Sequence, residues 1–303
     1  IGGRFSEARA RDELFAAMGV GAGDRPRSRP PARPDPADEV SGTAGAGLRV
    51  RGELLRWAHG WRRLPGSSRR PKRAPRTLDR HIILVHIPKT AGTSLYNSLR
   101  RWSTRQHAIR FERGDAADWD RFTALSEERL GELHLIAGHF TLRQFRQRLD
   151  ERWSPITVLR DPVERTLSVY RFVLGEPLHP WFDEVHDMDL EHFLEWYGRR
   201  PHVRDQQCRF VCGVADAEVA LEALEQGFLL AATMDHVEAM TARLSAYLGY
   251  SLELARDNVS RPVALPTDLS DTARQIIEEI NREDIELVRR VREAKVLGQL
   301  VVA

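Results

Sequence analysis

Between Lys89 and Ser94 the chain sets one lysine, three hydroxyls and a glycine side by side: Lys89, Thr90, Ala91, Gly92, Thr93 and Ser94. A lysine supplies a mobile point charge, while hydroxyls and backbone N–H groups supply directional donors. Together they suit a phosphate or a sulfate. Further along, Arg160 and Ser168 offer a guanidinium and a hydroxyl for a second, separate phosphate, which arginine can grip bidentately. Between these two grips in the sequence stands His139. Imidazole is the side chain that exchanges its proton nearest neutrality, so His139 is the candidate general base. Two anion grips and a base make a site for group transfer.

Elements must position these groups. Ile82-Ile83-Leu84-Val85 is a short β-branched run, too short for a helix and apolar enough for a strand buried on both faces. Pro88 ends that strand, Gly92 permits a tight turn, and Thr93 and Ser94 start a helix, so backbone N–H groups and a positive helix end meet the anion. HLIAGH (134–139) reads as a second strand ending at His139. PITVL (155–159) reads as a third, running straight into Arg160. Asp161 is placed to cap the next helix and Pro162 to open it; Ser168 lies two turns in, facing back toward the strand end. Helices are also expected over 93–102, 127–133 and 236–248, with two more over 267–296 broken near Asn281. A further β run covers 228–233.

Strands alternating with helices predict an α/β fold: a three-layer sandwich with a central, mostly parallel sheet flanked by helices. Ligands bind such sheets beyond the carboxyl ends of the strands, where Lys89, His139 and Arg160 are all expected. The plainer readings are a strand–turn–helix with an incidental lysine and a structural histidine at a strand end. His86 and His134 are expected to be packed.

The composition limits the function classes. With 303 residues and 42% apolar content there is ample core for one large domain and an extended tail. Net charge is +2, but residues 1–80 carry +9 and the remainder −7. Residues 1–76 are Pro-, Gly- and Arg-rich and read as a flexible basic arm, with short helices over 5–18 and over 51–64. The second is amphipathic, with Leu54, Trp57, Trp61 and Leu64 on one side. It either packs on the neighbouring domain, 77–303, or lies on an anionic membrane. Cys208 and Cys212 are too few for a disulfide scaffold or a zinc site and read as free thiols. No metal is expected. No apolar run suits a membrane span, so the expectation is a cytoplasmic protein with peripheral membrane contact as the second reading; the chain opens on Ile1 and not Met, which leaves room for an upstream piece. Arm charge alone, without a reading motif or stacking aromatics, does not predict nucleic-acid binding.

The order of residues in the loop separates two nucleotide chemistries. The common ATP loop reads G-x-x-x-x-G-K-S/T, with lysine last; here Lys89 comes first and the glycine follows. HIPKTAGTS, 86–94, resembles the 5′-phosphosulfate loop of sulfotransferases that use 3′-phosphoadenosine 5′-phosphosulfate (PAPS). It looks most like the carbohydrate branch that includes heparan sulfate 2-O-sulfotransferase. VLRDPVERTLSVYRF, 158–172, resembles that family's 3′-phosphate segment, with Arg160 and Ser168 at the family spacing. DQQCRFVCG, 205–213, is similar to a further family motif, and the likeness runs from His81 to about Val291. It implies a loop over Arg256–Arg261 closing on the 3′-phosphate side.

The resemblance implies a P-loop-like sandwich that moves a sulfuryl group from PAPS to a hydroxyl, without a metal. Lys89 and the 90–94 loop would stabilise the leaving phosphate and His139 would be the base. That branch carries a second histidine where this chain has Ala137, which puts its uronic-acid acceptor in doubt and leaves a saccharide or related hydroxyl compound. Arg204, Gln206 and Arg209 are candidates to meet the acceptor, or else a charged helix face in solvent. Two other classes stand beside this one: a nucleotide kinase using the loop for ATP, and a non-catalytic nucleotide-binding protein of the same fold.

Overall fold

The computed structural model describes residues 80–254 and 268–300. The expectations for residues 1–76, including the helix over 51–64 and its membrane contact, and for the loop over Arg256–Arg261 lie outside the described residues.

Six strands form one sheet: β1 (His81–Val85), β2 (Ala108–Phe111), β3 (Leu135–Gly138), β4 (Trp153–Leu159), β5 (Leu230–Thr233) and β6 (Val296–Leu297). Their spatial order is β2-β3-β1-β4-β5-β6; the first five are parallel and β6 runs antiparallel to β5. The β-branched run of β1 explains its central place. Ile82 and Leu84 enter one apolar cluster and Ile83 and Val85 another, all at most 1% exposed. A strand wetted on either face would have alternated with polar residues. Both faces are therefore covered, as three layers require.

On the face of Ile82 and Leu84 lie α1 (Gly92–Ser103), through Leu95, Leu99 and Trp102, and α10 (Val237–Leu248), through Met240, Leu244 and Leu248. On the face of Ile83 and Val85 lie α2 (Ala116–Thr123), α3 (Glu127–Glu132), α4 (Leu142–Phe145), α8 (Gln206–Cys212), α9 (Ala217–Gly227) and α12 (Arg282–Ala294). A third cluster joins α5 (Pro162–Gly175), α6 (Phe182–Val185), α7 (Leu190–Gly198) and α11 (Asp271–Ile280).

The α/β expectation holds, and so does the break at Asn281, which separates α11 from α12. Several elements went unforeseen, among them the helices α2, α4, α6 and α7. Strand β2 is a four-residue edge strand whose first three residues are only half-buried, so no apolar run announces it. Strand β6 has two residues. Helix α9 lies in a stretch for which no element was expected.

The topology decides where a ligand goes. From β1 the chain moves outward to β2 and returns through β3, then crosses to the other side of β1 for β4. The strand order therefore reverses direction at β1, and the loops leaving β3, β1 and β4 flank one crevice.

Candidate active site

His139, Lys89 and Arg160 follow β3, β1 and β4, three strands adjacent in the sheet, all at their carboxyl ends. The loop after β1 is tightened by two residues in the left-handed region, Lys89 (φ 69) and Ala91 (φ 62). Gly92 is not among the positive-φ residues, so its expected role as the turn residue is corrected: it is needed for close approach. A Cβ at Gly92 would stand 2.0 Å from Cδ2 and 2.4 Å from Nε2 of His86, whose ring fills the space beneath the loop. Helix α1 opens at Gly92 behind Ala91, which has no side chain to cap it, and its first turn holds no acidic residue. The N–H groups of Gly92 and Thr93 therefore have no partner within the helix, and the positive helix end faces the crevice.

The three hydroxyls are not equivalent. Thr90 is 1% exposed and its hydroxyl donates to Ile87 O at 2.9 Å, so that hydroxyl ties the loop to itself. Thr93 Oγ1 accepts from Arg110 Nη2 at 2.9 Å and keeps its own proton to donate. Ser94 is half-buried in the first turn, where its N–H turns back to Ala91 O at 3.1 Å.

Lys89 reaches its Nζ over the Phe172 ring, 4.0 Å from the centroid, and Phe172 is in turn met edge-on by His179. Burial, with the Arg160 guanidinium as the second cause, lowers the ammonium to about 8. A charge held so reluctantly is one that an incoming anion would stabilise. Arg160 donates from Nη1 to Lys89 O at 3.2 Å and from Nη2 to the exposed Glu164 carboxylate at 3.3 Å. The second contact is a surface ion pair of little worth, which an anionic ligand can replace. Ser168 is buried on α5, which Asp161 caps through the N–H groups of Val163 and Glu164.

His139 is held in a single tautomer. Its Nδ1 lies 2.7 Å from His86 O; a carbonyl only accepts, so Nδ1 carries the proton and Nε2 keeps its lone pair. The His86 ring lies against it, tilted by 33°, with 4.4 Å between centroids. Burial first, then the charges of Arg110 and Lys89, lowers His139 to about 4, partly offset by the His86 carbonyl and Asp118. Burial holds His86 well below the ordinary histidine range, and its Nδ1 meets no hydrogen-bond partner. The imidazole at the strand end is thus neutral and oriented across the pH range where proteins work. His86 is packed, as expected. His134 lies at the opposite end of the sheet, ring to ring with His81.

The three expected acceptor residues are each engaged within the protein. Gln206 is buried and its Oε1 accepts from Arg165 Nη1 at 2.7 Å. Arg204 is spent on Glu279 at 2.9 Å and on Gly198 O, and Arg209 Nε donates to Arg204 O at 3.0 Å. Each has an intramolecular partner in place of a ligand. Instead, the fold brings in Arg110 from β2. Its side chain is 14% exposed, lies between Thr93 and Tyr96, and acts electrostatically on His139. Nothing in the sequence flagged it, because the strand that carries it was not read as one. The thiols of Cys208 and Cys212 are free, and among the described residues no group of histidines, cysteines and carboxylates is arranged to hold a metal ion. No helix among the described residues is long and apolar enough to cross a membrane.

Comparison with known proteins adds three findings. The model of the sulfotransferase family matches residues 76–214, a span that covers the loop, His139, Arg160, Ser168 and Gly213. No curated protein sequence matches the chain. Among solved structures, mouse sulfotransferase SULT7A1 complexed with PAP aligns at 14% identity over 71% of this chain and 88% of that one, with a TM-score of 0.42.

Proposed function

We propose that this chain, whose residues 76–214 match the sulfotransferase family, transfers the sulfuryl group of PAPS to the hydroxyl of a saccharide or related acceptor, with His139 as base and Lys89 at the leaving phosphate. The observation that carries this reading is the arrangement of three strand ends: loop 89–94 after β1, His139 after β3 and Arg160 after β4, all in one crevice.

The step is an in-line displacement. The acceptor oxygen attacks sulfur, the bond between sulfur and the bridging phosphate oxygen breaks, and the acceptor proton passes to His139 Nε2. The second product is 3′,5′-adenosine bisphosphate (PAP). Charge grows on the 5′-phosphate as that bond breaks, and the groups aimed at it are the Lys89 ammonium and the Gly92 and Thr93 N–H groups. Arg160, with Ser168 two turns into the helix that follows it, takes the 3′-phosphate. Arg110, hydrogen-bonded to Thr93 and acting electrostatically on His139, is the further cation for the sulfuryl oxygens.

Calorimetric titration with PAP, 5′-AMP and ATP-magnesium tests the reading. PAP is expected to bind at least about tenfold more tightly than 5′-AMP, a preference lost in Arg160→Ala, since charged hydrogen bonds to a phosphate contribute upward of about 1.5 kcal/mol. ATP-magnesium binding indifferent to a 3′-phosphate would overturn it in favour of a kinase.

Lys89 gives a second check with a defined sign. In the free protein it is lowered to about 8, and a phosphate beside it restores the charged form. Titration of PAP near pH 8.5, in buffers of different ionisation enthalpy, is therefore expected to show net proton uptake. The uptake fades toward pH 6.5, where the lysine is already charged. Net release at the higher pH would contradict this role.

A further inference from the structure

Arg160 is the first residue beyond the β4–β5 ladder, which ends at Leu159↔Thr233, and its main chain is held by one side chain. The Arg160 N–H donates to Gln207 Oε1 at 2.9 Å, and Gln207 Nε2 donates to Arg160 O at 2.9 Å. A primary amide that satisfies both main-chain groups of one residue replaces the missing neighbouring strand. Gln207 is 0% exposed, so it has no competing water.

Gln207 is itself fixed from two helices. Its N–H donates to Asp284 Oδ2 at 3.0 Å, and the N–H of Cys208 donates to Asp284 Oδ1 at 2.9 Å, so a residue of α12 caps α8. In return Asp205, the left-handed residue before α8, accepts from the N–H groups of Glu283 and Asp284 at 2.7 and 3.2 Å and caps α12. Each positive helix end carries the other helix's carboxylate. Arg165 of α5 joins them, donating to Gln206 and to Asn281 Oδ1. The amide thus stands on a buried framework built from α5, α8 and α12, and α12 lies outside the segment matched by the family model.

We infer that Gln207 is a positioning residue of the nucleotide site: it fixes the Arg160 main chain so that the guanidinium projects toward the loop, where Nη1 meets Lys89 O at 3.2 Å. The inference rests on the proposed assignment of Arg160 to the 3′-phosphate. It also explains why the neighbouring Gln206, which points to Arg165, is not the residue that serves the site.

The test uses the full chain and Gln207→Leu, which keeps the bulk of the side chain and removes the amide. Two quantities are read: hydrogen exchange at the Arg160 amide, and the ratio of PAP to 5′-AMP affinity. Arg160 is expected to exchange faster while Ile156 and Val158 do not, and the ratio to fall by on the order of tenfold with 5′-AMP affinity unchanged. A general loss of stability would move both affinities together and leave the ratio intact. An unchanged ratio, or unchanged Arg160 exchange, overturns the inference. Should Gln207→Leu not fold, Gln207→Asn, whose amide is one methylene too short to reach both groups, is read the same way. If the unsubstituted protein does not prefer PAP to 5′-AMP, the nucleotide reading fails instead. Arg160 exchange then decides alone whether Gln207 holds that main chain.

Discussion

Replacing His139 with glutamine is expected to lower kcat for sulfuryl transfer by about 10²–10⁴, the usual contribution of a positioned general base, while PAP affinity stays within about twofold. The separation follows from the geometry. His139 sits at the end of β3 with Nδ1 committed to His86 O, and only Nε2 is left to face an acceptor. The phosphate-binding residues 89–94 follow a different strand, and the His139 ring is tied to the chain ahead of them, at His86 O. A glutamine can donate to the same carbonyl but offers no lone pair basic enough to take a proton.

The pH profile gives the same test a second edge. His139 is lowered to about 4 in the free protein, chiefly by burial and then by the charges of Arg110 and Lys89. An anionic nucleotide offsets both charges and moves the group back up. With PAPS saturating, the acid limb of kcat/KM is therefore expected between about 4 and the ordinary histidine value of about 6.5. The rate falls as protonation removes the Nε2 lone pair and is flat above, and the variant's residual rate lacks this limb. A loss smaller than about tenfold, or an acid limb retained in His139→Gln, would remove His139 from the proton transfer.

What the sequence disclosed depended on whether the determining contacts were local. The anion loop was legible because strand, turn and helix start are contiguous, and Asp161 and Pro162 announce α5 by capping rules that act within one turn. Arg110 was not legible: its strand is a short edge strand without an apolar run, and its importance comes from bonding to Thr93 and acting electrostatically on His139, which belong to other elements. Gln206 and Gln207 show the same limit more sharply. Adjacent residues on a helix point about 100° apart, so one amide meets Arg165 and the other Arg160. No periodicity within a seven-residue helix distinguishes them until α5 and β4 are in place. Gly92 was recognised as special for the wrong reason. A glycine in a turn suggests a left-handed backbone, yet here Lys89 and Ala91 take the positive φ values, and the constraint on Gly92 is the ring of His86.

That constraint makes Gly92→Ala the other substitution of large effect. The added Cβ would lie 2.0 Å from His86 Cδ2, and the ring has little room to yield. It is 5% exposed and packed against the His139 ring, 4.4 Å away between centroids. The loop must therefore lift, carrying the first N–H groups of α1 away from the phosphate they would bind. Overpacking of this kind costs about 1–3 kcal/mol of stability, which for a domain of this size lowers the melting temperature by several degrees. Displacing the loop by about 1 Å is expected to cost on the order of 10² in kcat/KM for PAPS. The companion variant is His86→Ala. Alone it opens a cavity beneath the loop and frees one side of His139; combined with Gly92→Ala it removes the clash. The double variant is thus expected to bind PAP more tightly than Gly92→Ala does, a coupling of opposite sign to simple additivity. Additive losses in the cycle, or a Gly92→Ala protein that binds and melts like the original, would show that the His86 ring does not set the height of the loop.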